Sequence, residues 1–251
     1  MMQNILYSIR FHKEGVKLLM IIMSGAIGAG KSNLTTFVSK HLGTEAFFEP
    51  VGDNPILPLF YKDPNHYAFL LQIYFLNKRF AMIKEAMTND NNVLDRSIYE
   101  DSLFFHMNAE MGRCNEEEVK VYDDLLENMM EELPYAAHKK APDLLVHIDI
   151  DITTMLAHIK KRGRDYEQIE NDPTLRDYYI NLLEHYTPWY EAYDASPKMT
   201  IDASQYDFVN SLEDRKTVLK SIDDKLLEIG KIDEDEYASL MLKLERMQLD
   251  D

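Results

Sequence analysis

Residues Gly25-Ala26-Ile27-Gly28-Ala29-Gly30-Lys31-Ser32 follow the spacing G-x-x-x-x-G-K-S/T. Their surroundings give the octet its meaning. The apolar run 18–24 before it reads as a buried strand, and residues 31–41 after it read as a helix. A glycine-rich turn between strand and helix curls the backbone so that successive N–H groups face inward, and the helix N-terminus adds the positive end of its dipole. Such a nest holds phosphate. Residues Gly25, Ala26, Ile27, Gly28, Ala29, Gly30, Lys31, Ser32 and Asn33 are therefore the candidate nucleotide cradle. Lys31 is placed to reach the β- and γ-phosphates of ATP, and the Ser32 hydroxyl to ligate Mg²⁺.

Strand-like and helix-like runs alternate outward from the loop. Asp63-Pro64 starts a helix that apolar positions sustain to residue 87. A short strand at 92–94 ends at Asp95. Helices at 99–111 and 116–133 precede the cleanest strand, 144–150. A helix at 153–161, an aromatic one at 174–194, a strand at 199–202 and a helix at 213–229 complete the body. This alternation predicts an open α/β sandwich with a parallel sheet. The reading divides the chain into an extension at 1–17, one domain at 18–230 and an acidic tail at 231–251. The tail carries a last amphipathic segment with Leu240, Leu242, Leu244 and Met247.

Composition removes several function classes. The chain has 251 residues, 45% of them hydrophobic, enough for one sizeable core. Its formal charge of −17 opposes nucleic acid or an anionic membrane as partner, since both demand a broad basic surface. The apolar run 16–23 is too short to span a membrane. The single cysteine, Cys114, cannot form an internal disulfide, so the expectation is a cytoplasmic protein. The eight histidines show no metal-ligand spacing, and His147, alternating within a strand, reads as a core residue. A GTPase needs D-x-x-G and N-K-x-D. None of the nine glycines has an Asp three residues earlier, and Asn77-Lys78 is followed by Arg79-Phe80. The remaining readings are a small-molecule kinase and a regulatory ATP-binding protein.

Phe48-Glu49-Pro50-Val51, Gln72, Asp95-Arg96-Ser97 and Arg162-Gly163-Arg164 fall in the order and spacing of the deoxynucleoside kinases, which the chain resembles from 18 to 229. The likeness is to the bacterial members acting on deoxyadenosine and deoxyguanosine. It implies a P-loop kinase fold, a three-layer α/β/α sandwich with a parallel sheet and a short lid. The implied reaction moves the γ-phosphoryl of ATP to the 5′-hydroxyl of a deoxynucleoside in nucleotide salvage, with deoxycytidine a third acceptor. It also implies a dimer, with an identical or a related subunit. A nucleoside monophosphate kinase is the same-chemistry rival, and Glu49 separates the two because a carboxylate repels an anionic acceptor.

Each motif has its own physical reading. Glu49 follows the apolar stretch 46–48, so it projects from a strand end, where α/β folds place their sites; the resemblance makes it the general base toward the 5′-hydroxyl. Asp95 and Arg96 end another strand. The resemblance gives Asp95 a hold on Mg²⁺ through water and gives Arg96 contacts to the base carboxylate and the acceptor oxygen, whereas strand-end Asp residues are as often helix caps. Residues 160–164 are the one dense basic cluster in an acidic chain. In the family such a cluster is the lid, with Arg162 and Arg164 closing on the transferring phosphoryl; His158 stands where members often have another arginine and inherits no role.

Gln72 and Arg79 are seven residues apart, hence on one helix face about 10 Å along the axis. The resemblance has Gln72 hydrogen-bonding the base, Arg79 working with Asp101, and Tyr61 with Glu167 holding the sugar 3′-hydroxyl. Asn54 stands where several animal members have Trp, which leaves the pocket wall open. The stripe Tyr178, Tyr179, Leu182, Tyr186, Trp189, Tyr190 and Tyr193 reads as core or dimer packing from its helical spacing.

Overall fold

Six consecutive buried residues, Met20–Gly25, form β1 in the middle of a five-stranded sheet. The computed structural model describes residues 19–48, 54–86, 91–96, 98–136 and 141–249. Parallel to β1 run β3 (Asn92–Asp95) on one side and β4 (Leu144–Asp149) on the other, with Ile22 opposite both Leu94 and Leu145. The edges are β2 (Glu45–Phe47), beside β3, and β5 (Lys198–Asp202), beside β4. The order is β2-β3-β1-β4-β5, with every pairing parallel.

Side chains alternate across the sheet, so a strand covered on both faces has to be apolar throughout. That is why β1 opens with four apolar residues, Met20 to Met23, ahead of the buried Ser24. Ile21, Met23, Val146 and Ile148 join one core, and Met20, Ile22, Leu94 and Leu145 join the other. The first core includes Leu34 and Val38 of α1 (Lys31–Leu42) and Val218 and Ile222 of α8 (Leu212–Glu228). The second includes Leu76 and Ile83 of α3 (Pro64–Ala86), Phe105 of α4 (Asp101–Glu110) and Tyr122 of α5 (Glu116–Ala136). Helices α6 (Ile152–Arg162) and α7 (Leu175–Ala192) complete the α/β/α sandwich. Among the described residues no helix is long and apolar enough to cross a membrane.

The structure differs from the sequence reading at several places. A helix from residue 99 is replaced by a 3-10 turn at Ile98–Glu100 leading into α4, which brings Glu100 and Asp101 inward as buried carboxylates. The strand read at 46–48 is β2, one residue earlier and at a sheet edge, and Phe48 just past it is exposed. A short helix, α2 (Leu57–Lys62), was not anticipated. Its signal was Asn54 followed by proline in the first turn. The buried Asn54 Oδ1 accepts from the N–H groups of Ile56 at 2.9 Å and Leu57 at 3.1 Å. His147 is buried, as expected, with Nδ1 3.1 Å from Ser24 Oγ.

The acidic tail forms α9 (Glu234–Arg246), started by a reciprocal capping box between Asp233 and Glu236. Leu240 and Leu244 reach the first core, while Leu242, on the opposite face of the turn, is exposed. Lys243 Nζ donates to the His41 carbonyl at 3.0 Å, and Arg215, stacked 3.8 Å over Phe37, donates to the Leu249 carbonyl at 2.8 Å. Beneath this contact His41 Nε2 lies 2.7 Å from Asp223, whose carboxyl burial pushes up. If α9 shares the cooperative core, Leu244→Ala will lower the unfolding free energy by about 2–4 kcal/mol. Urea denaturation reads it, and a loss under about 1 kcal/mol would make α9 a peripheral appendage.

Candidate active site

The phosphate loop leaves β1 through Gly25 and enters α1 at Lys31. Gly25 has φ 144°, and a Cβ there would stand 2.5 Å from the Ile148 carbonyl oxygen; Gly30, at φ 92°, has the Phe208 ring 2.9 Å from where its Cβ would be. Only glycine fits either position. Ala26 and Ala29 turn their methyl groups into the core, which leaves Ile27, Gly28, Gly30, Lys31, Ser32 and Asn33 facing an open cavity. Lys31 is buried, with Nζ donating to the carbonyls of Gly25 at 2.8 Å and Ala26 at 2.9 Å. Ser32 Oγ donates to Asp95 Oδ2 at 2.5 Å. His158 on α6 donates from Nδ1 to the Gly28 carbonyl at 2.8 Å, and so pins the lid helix to the loop.

The end of β3 supplies the next group. Arg96 has a left-handed backbone, φ 76°, which turns its side chain back toward the cavity. Its guanidinium lies 4.5 Å over the Phe104 ring and donates from Nη1 to the Tyr186 hydroxyl at 3.3 Å. A non-glycine residue in this region costs of order 1–3 kcal/mol and persists only where its surroundings impose it.

The cavity, of about 540 Å³, runs from the loop to α3. At its far end Arg79 Nε donates to Asp101 Oδ2 at 2.7 Å, with both side chains buried and Gln72 on the same wall. Leu57, Phe60, Phe75 and Phe104 supply apolar walls. Removing one partner of such a buried pair would leave an uncompensated charge. Tyr61 and Glu167 face the same space. Burial, the largest cause, raises the Tyr61 hydroxyl well above its usual pKa, and burial likewise pushes Tyr178 up to about 12. The buried Glu167 carboxylate takes Arg162 Nη2 at 2.6 Å and Arg164 Nη1 at 3.2 Å. The two arginines of the basic cluster are thus gathered on one acid at the cavity mouth.

The candidates Lys31, Ser32, Asp95 and Arg96 are brought together at one end of this space, and Gln72, Arg79 and Asp101 at the other. Glu49, like Pro50, Val51 and Ser97, lies outside the described residues. Sequence reasoning gave no role to Glu100 or His158 and read Tyr186 as packing only, and it passed over the segment from Ala203 to Asn210, part of which lines the cavity beside Gly30. Aromatic Tyr206 and Phe208 just past a strand end were the available signal for that segment.

The chain is similar to known proteins over most of its length. The family model described as deoxynucleoside kinase matches residues 21–228. A deoxyguanosine kinase of Lactobacillus johnsonii is 62% identical over 224 residues, 89% of this chain and 100% of the relative. A deoxyadenosine kinase of Lactobacillus acidophilus is 55% identical over 84% of this chain and 98% of its own. Among solved structures, deoxyadenosine kinase from M. mycoides with bound dATP superposes with a TM-score of 0.68 at 30% identity, covering 83% of this chain and 99% of that one. With a family model spanning the sheet, the loop and the lid, and relatives matched nearly end to end, the chain belongs to the deoxynucleoside kinase family.

Proposed function

We propose that this protein transfers the γ-phosphoryl group of ATP to the 5′-hydroxyl of a purine deoxynucleoside in nucleotide salvage. The observation that carries the reading is the continuous cavity with a phosphate loop at one end and the buried Arg79–Asp101 pair beside Gln72 at the other. A base held at the far end directs its sugar toward the loop. The relatives named as deoxyguanosine and deoxyadenosine kinases support a purine acceptor.

In this reading Lys31 neutralises the β- and γ-phosphates, and Arg96 lies beside the acceptor oxygen. Glu49 takes the proton of the 5′-hydroxyl, while Tyr61 and Glu167 hold the 3′-hydroxyl. The Arg162 and Arg164 side chains are each about a third exposed, 34% and 31%, so moving them from Glu167 to the transferring phosphoryl asks for little desolvation. Ser32 and Asp95 present a hydroxyl and a carboxylate side by side, hard oxygen donors that fit Mg²⁺ with its waters, Asp95 acting through one of them. When bound, the ion draws charge from the phosphate oxygens. Among the described residues no group of three or more His, Cys, Asp or Glu could hold a metal by itself, so substrate phosphates complete this site.

A cytoplasmic location is supported by the lone Cys114, whose thiol burial pushes up to about 11, well away from reactive thiolate chemistry. Exposed Leu70 on α3 and Val121 on the neighbouring α5 support paired subunits. Sedimentation velocity at micromolar concentration should show a dimer, and a monomer alone would refute the pairing.

A panel of deoxynucleosides with Mg-ATP, scored for monophosphate product, tests the acceptor. Adenine, guanine and cytosine carry an exocyclic amine that Asp101 can accept from; thymine carries carbonyls and a methyl group. Thymidine is expected to be the poorest substrate, by up to about 10⁴-fold in kcat/KM. Thymidine turnover equal to that of the purines would sink both the acceptor assignment and the role of the pair. Glu49→Gln should keep ATP binding and lose about 10²-fold or more in kcat; turnover near that of the parent would remove Glu49 from the mechanism.

A further inference from the structure

Gly25, the first residue of the phosphate loop, is held through both of its backbone groups. Its N–H donates to Glu100 Oε1 at 3.2 Å. Its carbonyl accepts from Lys31 Nζ and from the Tyr186 hydroxyl, each at 2.8 Å. That hydroxyl is also 2.7 Å from Glu100 Oε1, so a carboxylate and a phenol close a ring around one glycine. The same two groups hold Arg96, whose Nη1 donates to the Tyr186 hydroxyl at 3.3 Å and stands 3.7 Å from Glu100 Oε1. Lys31 and Arg96 are thereby joined through two side chains from separate elements, the turn before α4 and the middle of α7.

The network is buried and braced. Glu100 has no solvent exposure and Tyr186 has 3%. The Tyr186 ring stacks on His147 with centroids 5.4 Å apart, and Arg96 has Phe104 beneath it. A carboxylate taken wholly out of water beside a loop that binds polyphosphate opposes both folding and ligand, unless its hydrogen bonds do specific work. The direction of those bonds indicates what that work is. Moving reacting groups by about 1 Å can cost on the order of 10²-fold in rate. Here the two cations on either side of the phosphoryl group are tied to one buried point.

We infer that Glu100 and Tyr186 are positioning residues for phosphoryl transfer: through Gly25 they locate the Lys31 ammonium, directly they locate the Arg96 guanidinium, and so they keep donor and acceptor sides in register. The inference rests on the reading of Lys31 and Arg96 as the cations of the transfer.

Two conservative variants test it. Glu100→Gln keeps shape and an accepting oxygen but removes the charge, and Tyr186→Phe keeps the stacked ring but removes the hydroxyl. Each should lower kcat by about 10-fold or more while leaving KM for the deoxynucleoside within about threefold, because the groups displaced act on the phosphoryl in flight. The double variant should lose no more than about threefold beyond the worse single, since both substitutions break one unit. A single variant with kcat within twofold of the parent, a loss confined to KM, or a double variant losing the product of the two single losses overturns the inference. If Glu100→Gln does not fold, the kcat and KM of Tyr186→Phe alone decide between these outcomes. Arg96→Ala separates the levels: full turnover there would remove Arg96 from the reaction itself, whatever the network does.

Discussion

A loop that binds phosphate through its backbone N–H groups has to point them into the cavity, so it must be held in shape from its other side. In this protein that anchoring is carried by carbonyls and by side chains behind the loop. Lys31 reaches back to the carbonyls of Gly25 and Ala26, His158 takes the carbonyl of Gly28, and Ala26 and Ala29 are sunk in the core. The remaining contacts on Gly25, from Glu100 and Tyr186, link this scaffold to Arg96. The central place of β1 in the sheet follows from the same need, because a strand paired on both sides gives the loop a rigid stem.

Charge is distributed to suit a polyanionic substrate in an acidic protein. A net −17 would repel ATP over the whole surface, and the cations of the cavity create a local exception. Each cation at the site has a carboxylate or carbonyl partner: Arg79 has Asp101, Arg162 and Arg164 have Glu167, and Lys31 has two carbonyls. The partners differ in what they allow. The Arg79–Asp101 pair has both side chains buried, where breaking it would strand a charge. The lid pair sits at the mouth, where the arginines are partly exposed while the Glu167 carboxylate they share is buried.

Much of this was legible in the chain itself. The loop octet, the strand before it and the helix after it are local patterns, and local periodicity decides them. Gln72 and Arg79 share a face because seven residues make two helical turns. The inner strands stand out because each carries buried apolar residues, such as Ile21, Val93 and Leu145, whereas β2 lies at an edge and Phe48, just past it, faces solvent. Asn54 carries no periodicity, so the sequence signal for α2 was faint, although its Oδ1 accepts from the N–H groups of Ile56 and Leu57.

The sequence by itself therefore determined most of the element types and their order, the phosphate-binding loop and the family to which its separated motifs belong. Tertiary structure alone decided which groups meet. His158 is 130 residues from the Gly28 carbonyl it pins, and Arg96 is 90 residues from the Tyr186 hydroxyl that holds it. Glu100 became part of the loop scaffold because a 3-10 turn stands where a continuous helix was expected. The physical reason is that helices and strands are specified by neighbours a few residues apart, while partners across the site depend on how a parallel sheet brings the carboxyl ends of its strands together.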